Sequence, residues 1–533
     1  MDRGTDMAIL SPNLGDVVKK FLLGSAAVIM AATGAQAADL PVKAKPVEYV
    51  KVCSLYGAGF WYVPGTDTCL KIGSYVRAQT SWNAEGGGIP TGFGTAGGQF
   101  TRTDTSDLNL RTRAALSVDL RTQTEYGTLR SYLEVGAEYT TSSTPTTANA
   151  VFFDRGFIQF AGFTAGRIRS YFDINSFAPY SYSNSRISGD TGASGIYGIA
   201  YSAQLGNGVT ASISFEDGGA SANGNSTGGS GDRGHLTINM AQGELGMGTI
   251  SYDNAGWRFP DVVGALRIDQ AWGYAQIAAA LHDASGGYYG TANSVLNGHP
   301  SDKWGFAVTG GFTLNDVFGL KGDQVGVQAA YSQGAAGYVT RATAADMVWG
   351  SNTSVGVGWV TDGVYDSTGL ATGGSNVELT TVWGINGFYQ HFWNPRWRTS
   401  LWGGYVEVDY NNAATNLINQ HLPTPPVGAT ACGVLVEGAV APPINVGNGA
   451  GNSCSPNFSW TQLGTRTQWN PHPDLDIGLE VLWTHLNTAY KGAALALPSS
   501  GARPACTSPT GGCSVDDQDV VSVLFRIQRN FLP

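Results

Sequence analysis

An all-β transmembrane antiparallel β-barrel is the fold this sequence predicts, and three observations predict it. The closing stretch alternates: Val521, Val523, Phe525, Ile527 and Phe531 share one parity, and Ser522, Arg526, Gln528 and Asn530 the other. A strand points successive side chains to opposite faces, so one face is oily and the other wet. Charged residues make up only 13% of the 533 residues, against roughly a quarter in ordinary soluble domains. Loop lengths are also patterned: short turns such as 123–127 and 470–474 separate long polar loops at 83–106, 218–232, 411–457 and 487–517. Short turns on one side and long loops on the other are the habit of outer-membrane barrels.

The first element is an export signal. Lys19 and Lys20 precede an apolar run from Phe21 to Ala32, followed by Ala35-Gln36-Ala37. That order reads as a secretory signal cleaved after Ala37, and the run is too short to span a bilayer as a helix. The residues before Val17 do not resemble the start of a signal and fit a start codon assigned too far upstream. Residues 38–69, rich in proline at their beginning, form a mature periplasmic segment before the first strand. The barrel is assigned to 70–533.

The strands follow. Leu70, Ile72, Val76, Ala78 and Trp82 share a face, opposite Lys71, Tyr75, Arg77, Gln79 and Ser81. Leu108, Leu110, Ala114, Leu116, Val118 and Leu120 alternate with Asn109, Arg111, Arg113, Ser117, Asp119 and Arg121. Leu129, Leu133, Val135 and Ala137 alternate with Arg130, Tyr132, Glu134 and Glu138. The same alternation recurs at 209–216 and 475–484. Less regular candidates lie near 151–161, 163–170, 195–203, 233–241, 246–253, 262–282, 303–313, 323–333, 377–391, 397–410 and 458–469. Many are long enough for the ~9–11 residues that cross a bilayer, which favours a barrel over a soluble sandwich. With both chain ends on the periplasmic side the count is even. Splitting 262–282 near Ala271–Gly273 gives eighteen strands; losing one segment gives sixteen.

Composition narrows the function. A net charge of −10 argues against nucleic acid as the main partner. Gly224-Asn225-Ser226-Thr227-Gly228 matches GxSxG, but without the strand–turn–helix context that gives this motif meaning. HExxH, P-loop and EF-hand patterns are absent, so neither an enzyme nor a cofactor is expected. His235, His282, His299, His391, His421, His472 and His485 are scattered, which predicts no metal site. Six cysteines fall into three local pairs, Cys53 with Cys69, Cys432 with Cys454 and Cys506 with Cys513. Sequential pairing is the simplest of about fifteen connectivities, and closing a loop of this length contributes about 3 kcal/mol.

Charge on the lipid face costs about 2–4 kcal/mol for an arginine at mid-membrane. Arg77, Arg111, Arg113, Arg121 and Arg130 are therefore expected inside, as a basic wall extended by Arg155, Arg167 and Arg169. Asp119 and Glu134 are the neighbouring carboxylates that pair with them. Residues 171–194 form a long loop with many aromatics. They are expected to fold into the lumen and set Asp173 and Asp190 against the arginines, making a transverse field at a constriction. As an ordinary external loop the segment would need no such role.

Two segments resemble the alphaproteobacterial porin family, the outer-membrane general diffusion porins. One is Ala38-Asp39-Leu40-Pro41-Val42-Lys43-Ala44-Lys45-Pro46-Val47-Glu48-Tyr49-Val50-Lys51-Val52-Cys53, continuing through Tyr56-Gly57-Ala58-Gly59-Phe60 and Pro64-Gly65-Thr66-Asp67-Thr68-Cys69 into Lys71-Ile72-Gly73. The other runs from Phe157 through Ala161, Gly162 and Arg167 to Ser170-Tyr171-Phe172-Asp173. The likeness covers about 38–215 and the final strand. It implies sixteen strands, a homotrimer in outer-membrane lipid, an inward-folded third loop, and passive diffusion of small hydrophilic solutes and ions. Two departures stand out: Leu532-Pro533 follow the terminal aromatic, and the loops at 334–376, 411–457 and 487–517 are enlarged. A non-conducting barrel acting as an adhesin or structural protein is the alternative, and it requires a plugged lumen.

Overall fold

The computed structural model of the protein describes residues 52–82, 84–85, 89–90, 108–141, 149–176, 179–182, 195–217, 234–240, 253–256, 258–289, 295–340, 346–350, 354–366, 374–421, 435–436, 454–496 and 512–531. Sixteen antiparallel strands close into one barrel. In chain order they are β1 (Thr68–Trp82), β2 (Leu108–Thr124), β3 (Gly127–Thr140), β4 (Asn149–Phe160), β5 (Phe163–Ile168), β6 (Ile196–Gly206), β7 (Val209–Glu216) and β8 (Asp261–Gln270), then β9 (Gly273–Asp283), β10 (Trp304–Asn315), β11 (Gln324–Gln333), β12 (Thr381–Asn394), β13 (Trp397–Asp409), β14 (Phe458–His472), β15 (Leu475–Asn487) and β16 (Gln518–Phe531). Each pairs with its sequence neighbours, and β16 returns to β1 with Ser74 opposite Phe531 and Trp82 opposite Val523. Closure leaves no ladder edge, which a bilayer core without water demands.

The expected segments become these sixteen by two changes. Segment 262–282 is two strands, β8 and β9, joined at Ala271–Trp272. Segments 233–241 and 246–253 are not wall strands, because β7 pairs directly with β8. Thr237–Asn239 pairs in parallel with Gly363–Tyr365 instead, and it is buried on both faces; residues 246–252 lie outside the described residues. Alternation alone does not separate such a segment from a membrane strand.

Connections alternate in length. Two-residue turns sit at 125–126, 161–162, 207–208, 271–272, 395–396 and 473–474, with one longer turn at 316–323. At the other end lie L1 (83–107), L2 (141–148), L3 (169–195), L4 (217–260), L5 (284–303), L6 (334–380), L7 (410–457) and L8 (488–517). The turn after β6 shows why the tight end is tight: Asn207 and Gly208 both have positive φ, 49° and 75°. That conformation follows strand twist and favours Asn-Gly.

Burial is inverted relative to a soluble protein. Val76, Leu110, Leu116, Ile158, Ile277, Leu401, Leu463, Leu479 and Phe525 point outward and are exposed, while Gln79, Asn109, Asp119, Gln328 and Ser522 point inward and are buried. Exposed aromatics rim both ends, with Tyr126, Phe163, Trp272, Trp393, Trp397 and Phe531 at the turn end and Trp82, Tyr139, Tyr197, Trp304 and Trp383 at the loop end. This is an apolar belt between two aromatic girdles.

Two additions occupy the barrel ends. In the segment before β1, Trp61–Tyr62 pairs with β1, and a disulfide joins Cys53 to Cys69, as the spacing suggested. Cys53, Cys69 and Phe60 are buried together, and Arg121 of the inner wall stacks over the Tyr56 and Phe60 rings. Cys454 is also disulfide-bonded; Cys432 and Cys506 lie outside the described residues, and Cys513 falls in the strand Gly512–Val515. At the loop end, L6, L7 and L8 interleave. Strands Asp346–Gly350 and Ser354–Trp359 join Gly512–Val515, Ala494–Ala496 and Leu435–Val436 in one five-stranded sheet, and the helix Asn412–His421, α1, packs against Gly363–Tyr365 and Glu378–Leu379.

Candidate pore wall and constriction

The arginines expected inside stand on adjacent strands of one wall. Arg77 on β1 faces Arg113 on β2 in register, and Arg111 sits opposite Gln79. Arg113 pairs with Glu138, and Arg121 with Arg130, across β2 and β3. Residues paired across a ladder share a face, so Arg77, Arg111, Arg113, Arg121 and Arg130 face the same side as the buried Gln79 and Asn109.

They form a mosaic with carboxylates. Arg111 binds Glu138. Arg113 Nη2 lies 2.5 Å from Asp154 Oδ2, with its guanidinium 3.7 Å above the Phe152 ring. Arg121 and Arg130 share Asp119 at 2.7 and 2.9 Å, and Arg130 also reaches Gln159 at 3.0 Å. Glu134 accepts from the Tyr132 hydroxyl at 3.2 Å. Asp154 is present through a β-bulge: Glu134 pairs with Arg155 but Val135 with Phe153, leaving Asp154 as the extra residue. A bulge re-aims side chains, and here Asp154 meets Arg113 while Arg155 donates to the Asp154 carbonyl at 2.8 Å. Arg77 has a neutral partner, Gln528 Oε1 at 2.8 Å.

Two residues at the edge of the wall are Arg167 and Asp173. Arg167 pairs with Gly156 and with Tyr197, on the parity of Phe163 and of the half-exposed Tyr197. Its Nε is nonetheless buried and its charge acts on Asp154, so strand parity alone does not take it out of the wall. Asp173 faces Arg169, one of the arginines expected to extend the wall. It lies fully buried at the root of L3, 3.7 Å from Arg169 Nε, because L3 turns back on itself there. Asp190 lies outside the described residues.

L3 does fold inward. Its root is held by Glu216 of β7, which accepts the Ser170 hydroxyl at 2.6 Å and the Tyr171 N–H at 2.9 Å. Asn175 then reaches across the lumen: its Oδ1 accepts from Tyr274 of β9 at 2.9 Å and Thr313 of β10 at 2.8 Å. Tyr180 stacks on Phe388 of β12 at 3.7 Å. Tyr182 lies against β15 and β16. Its N–H donates to Glu480 at 2.7 Å, its hydroxyl to Asp476 at 2.6 Å, and its ring lies under the guanidinium groups of Arg526 and Arg466 at 4.1 and 4.9 Å. Burial and the adjoining Asp476 push the Tyr182 phenol well up. Gly478 makes this docking possible, since a Cβ there would stand 2.1 Å from the Tyr182 hydroxyl. Leu524, which breaks the alternation of the last strand, packs beneath Tyr182; Arg529, the other exception, lies two residues from Phe531 at the turn-end rim.

Sequence reasoning thus missed Arg466, Asp154 and Glu216 as site residues, and did not see that Asp476, Glu480 and Arg526 anchor the loop. Inward parity with Gln462 and Gln468 marks Arg466; nothing short of the bulge marks Asp154. Under the L3 root lies a polar cavity of about 500 Å³ lined by Gln159, Thr164, Arg169, Asp173, Arg267 and Gln276, among others.

A closed sixteen-strand barrel with an in-folded third loop and a charged lumen is a pore architecture. Residues 39–524 match the family model described as Porin subfamily. The chain belongs to the porin family. It is 33% identical over 325 residues to Porin Omp2b of Brucella suis, covering 60% of this chain and 75% of that one. It is 31% identical over 330 residues to Porin Omp2b of Brucella abortus strain 2308, with the same coverage. In fold it is similar to the outer membrane channel DcaP of Acinetobacter baumannii, with a TM-score of 0.50 and 14% identity over 88% of this chain and 99% of that one. This porin is an outer-membrane protein that forms a diffusion pore.

Proposed function

We propose that the conducting path of this porin runs between L3 and the arginine wall of β1–β4, and that it passes small hydrophilic solutes and ions with a preference for anions. The observation that carries this reading is the third loop. It crosses the barrel and leaves its tyrosines on β12, β15 and β16, opposite in strand order to Arg111, Arg113, Arg121 and Arg130. Where L3 docks, Arg77 and Arg526 donate to Gln528 and Gln79, and Arg466 to the Pro179 carbonyl. Together with the wall arginines these cations stand along the proposed path, and rings of charge set ion preference in pores. The wall charges hold their water on the lumen side, as intramembrane charge requires.

The pore is proposed to work as a homotrimer in outer-membrane lipid, in keeping with the family resemblance. Purified, detergent-folded protein in a planar bilayer tests both points. Large ohmic steps arriving in threes, with a reversal potential on the anion side in a salt gradient, are expected. Silence, or steps of single size and cation preference, overturns the path or the trimer. Excising residues 174–182 is expected to raise the single-channel conductance; an unchanged value would place the constriction elsewhere.

A further inference from the structure

Two histidines far apart in sequence meet inside the fold. His282 on β9 lies with Nδ1 2.9 Å from both carboxylate oxygens of Asp261 on β8. His235 of L4 brings its ring to 4.7 Å from that of His282. One ligand atom from each of His235, Asp261 and His282 lies within 4.8 Å of the others. All three residues are at most 1% exposed. His235 Nε2 has no hydrogen-bond partner among the described residues, and a buried polar atom left unmatched is destabilising.

We propose that His235, Asp261 and His282 bind a divalent transition-metal ion, zinc by the ligand chemistry, which fastens L4 to the barrel wall. Two imidazoles and a carboxylate suit zinc, and three protein ligands are a familiar set for it. The surroundings are those of a metal ligand rather than of a lone ion pair. The far nitrogen of His282, Nε2, faces Asp362 Oδ2 at 3.3 Å. That carboxylate is itself fixed by the backbone N–H groups of Leu236 at 2.6 Å and Ala336 at 2.7 Å. A ligating histidine characteristically gives its other N–H to such a carboxylate. Tyr338 orients Asp261 by a 2.7 Å hydrogen bond. Charge balance agrees: two buried carboxylates, Asp261 and Asp362, are matched by one divalent ion and two neutral imidazoles, whereas one protonated histidine would leave a negative charge uncompensated in a dry site. The ion would join β8 and β9 to L4 directly, and to L6 through Asp362.

The test uses the purified, folded full-length porin, stripped with a chelator, equilibrated with Zn²⁺ and dialysed before elemental analysis. One zinc per chain is expected, lost in His235→Ala and in Asp261→Asn but kept in His299→Ala, whose exposed ring lies in L5. Heat-modifiable migration on a gel shows that each variant keeps its barrel. Co²⁺ in place of Zn²⁺ is expected to give the visible bands of a low-symmetry site in the wild type. No stoichiometric metal, or full zinc retention in His235→Ala, overturns the proposal. Should either variant fail to form a barrel, absence of the Co²⁺ bands in the wild-type protein overturns it equally.

Discussion

The barrel has two inner walls built by opposite rules. Along β1–β4 the inward face is arginine and carboxylate: Arg77, Arg111, Arg113, Asp119, Arg121, Arg130, Glu134, Glu138 and Asp154. Along the loop-end half of β12–β15 it is apolar, with Val382, Phe388, Trp402, Val406, Trp460, Leu482 and Leu486 all buried, while Gln462, Arg466, Gln468 and Glu480 keep the rest of that face polar. The apolar residues belong to one cluster with Leu236 and Ile238 of L4, Val357, Trp359, Val360 and Val364 of L6, Ala414 and Ile418 of α1, and Ala489, Tyr490 and Val515 of L8. The outer faces of the two walls obey the same alternation, so the difference lies only in what covers the inside. A charged lumen face needs water and leaves room for solute. An apolar lumen face needs a lid, and the enlarged loops supply it. On the proposed path the pore of this porin is off-centre, and chain from L4, L6, L7 and L8 forms a second core against β12–β15.

Removing the lid's largest anchor breaks the comparison most severely. Trp359 is completely buried and meets the Tyr490 ring edge-on at 5.9 Å, while its carbonyl accepts from Tyr410 at 2.7 Å. Trp359→Ala is expected to cost the loop core about 3–5 kcal/mol and leave the sixteen-strand ladder closed. Limited proteolysis then cuts L6 and L8 faster, and channel records become larger and noisier. Unchanged cutting and conductance would mean that the loop core does not restrict the lumen.

The attachment of L3 is the next test, because L3 bridges the two walls. Glu480 accepts the Tyr182 N–H at 2.7 Å and the Ser181 hydroxyl at 3.4 Å. Glu480→Gln keeps the shape but removes the charge, weakening hydrogen bonds that contribute about 1.5–3 kcal/mol each when one partner is ionised. The expected result is a loop that leaves β15 intermittently, seen as flickering between two conductance levels. Steady single-level records identical to wild type would show that Asp476, Arg466 and Arg526 hold the loop unaided.

How much of this was legible in the sequence depends on which face a residue serves. The outward face was readable strand by strand, since lipid imposes one rule on every wall position, and so were the turns, the Cys53–Cys69 bridge and the in-folding of L3. The inward face was readable only where charge spoke for itself, as at Arg111 and Arg113. Apolar inward residues such as Trp402, Trp460 and Leu482 look like irregularities until the loops that cover them are known. Asp154 depends on a bulge that shifts the parity midway along β4, and the meeting of His235 with His282 depends on the path of L4.

The smallest structural effect, and the sharpest electrostatic one, belongs to Arg111→Gln with Arg113→Gln. Both side chains lie in the charged wall, and glutamine keeps a hydrogen-bond donor near Glu138 and Asp154, so the barrel should fold and migrate as before. What changes is the sum of charges. Each arginine is paired with a carboxylate, so its removal leaves that carboxylate's charge unbalanced. The double variant lowers the wall's net charge by two and is therefore expected to turn the reversal potential toward cations. Adding Glu138→Gln and Asp154→Asn to the same chain should bring the potential back toward its original side, because the wall is then neutral while Arg77, Arg466 and Arg526 remain at the L3 docking site. A potential that stays unmoved through both steps would mean that ions do not pass along β1–β4 at all.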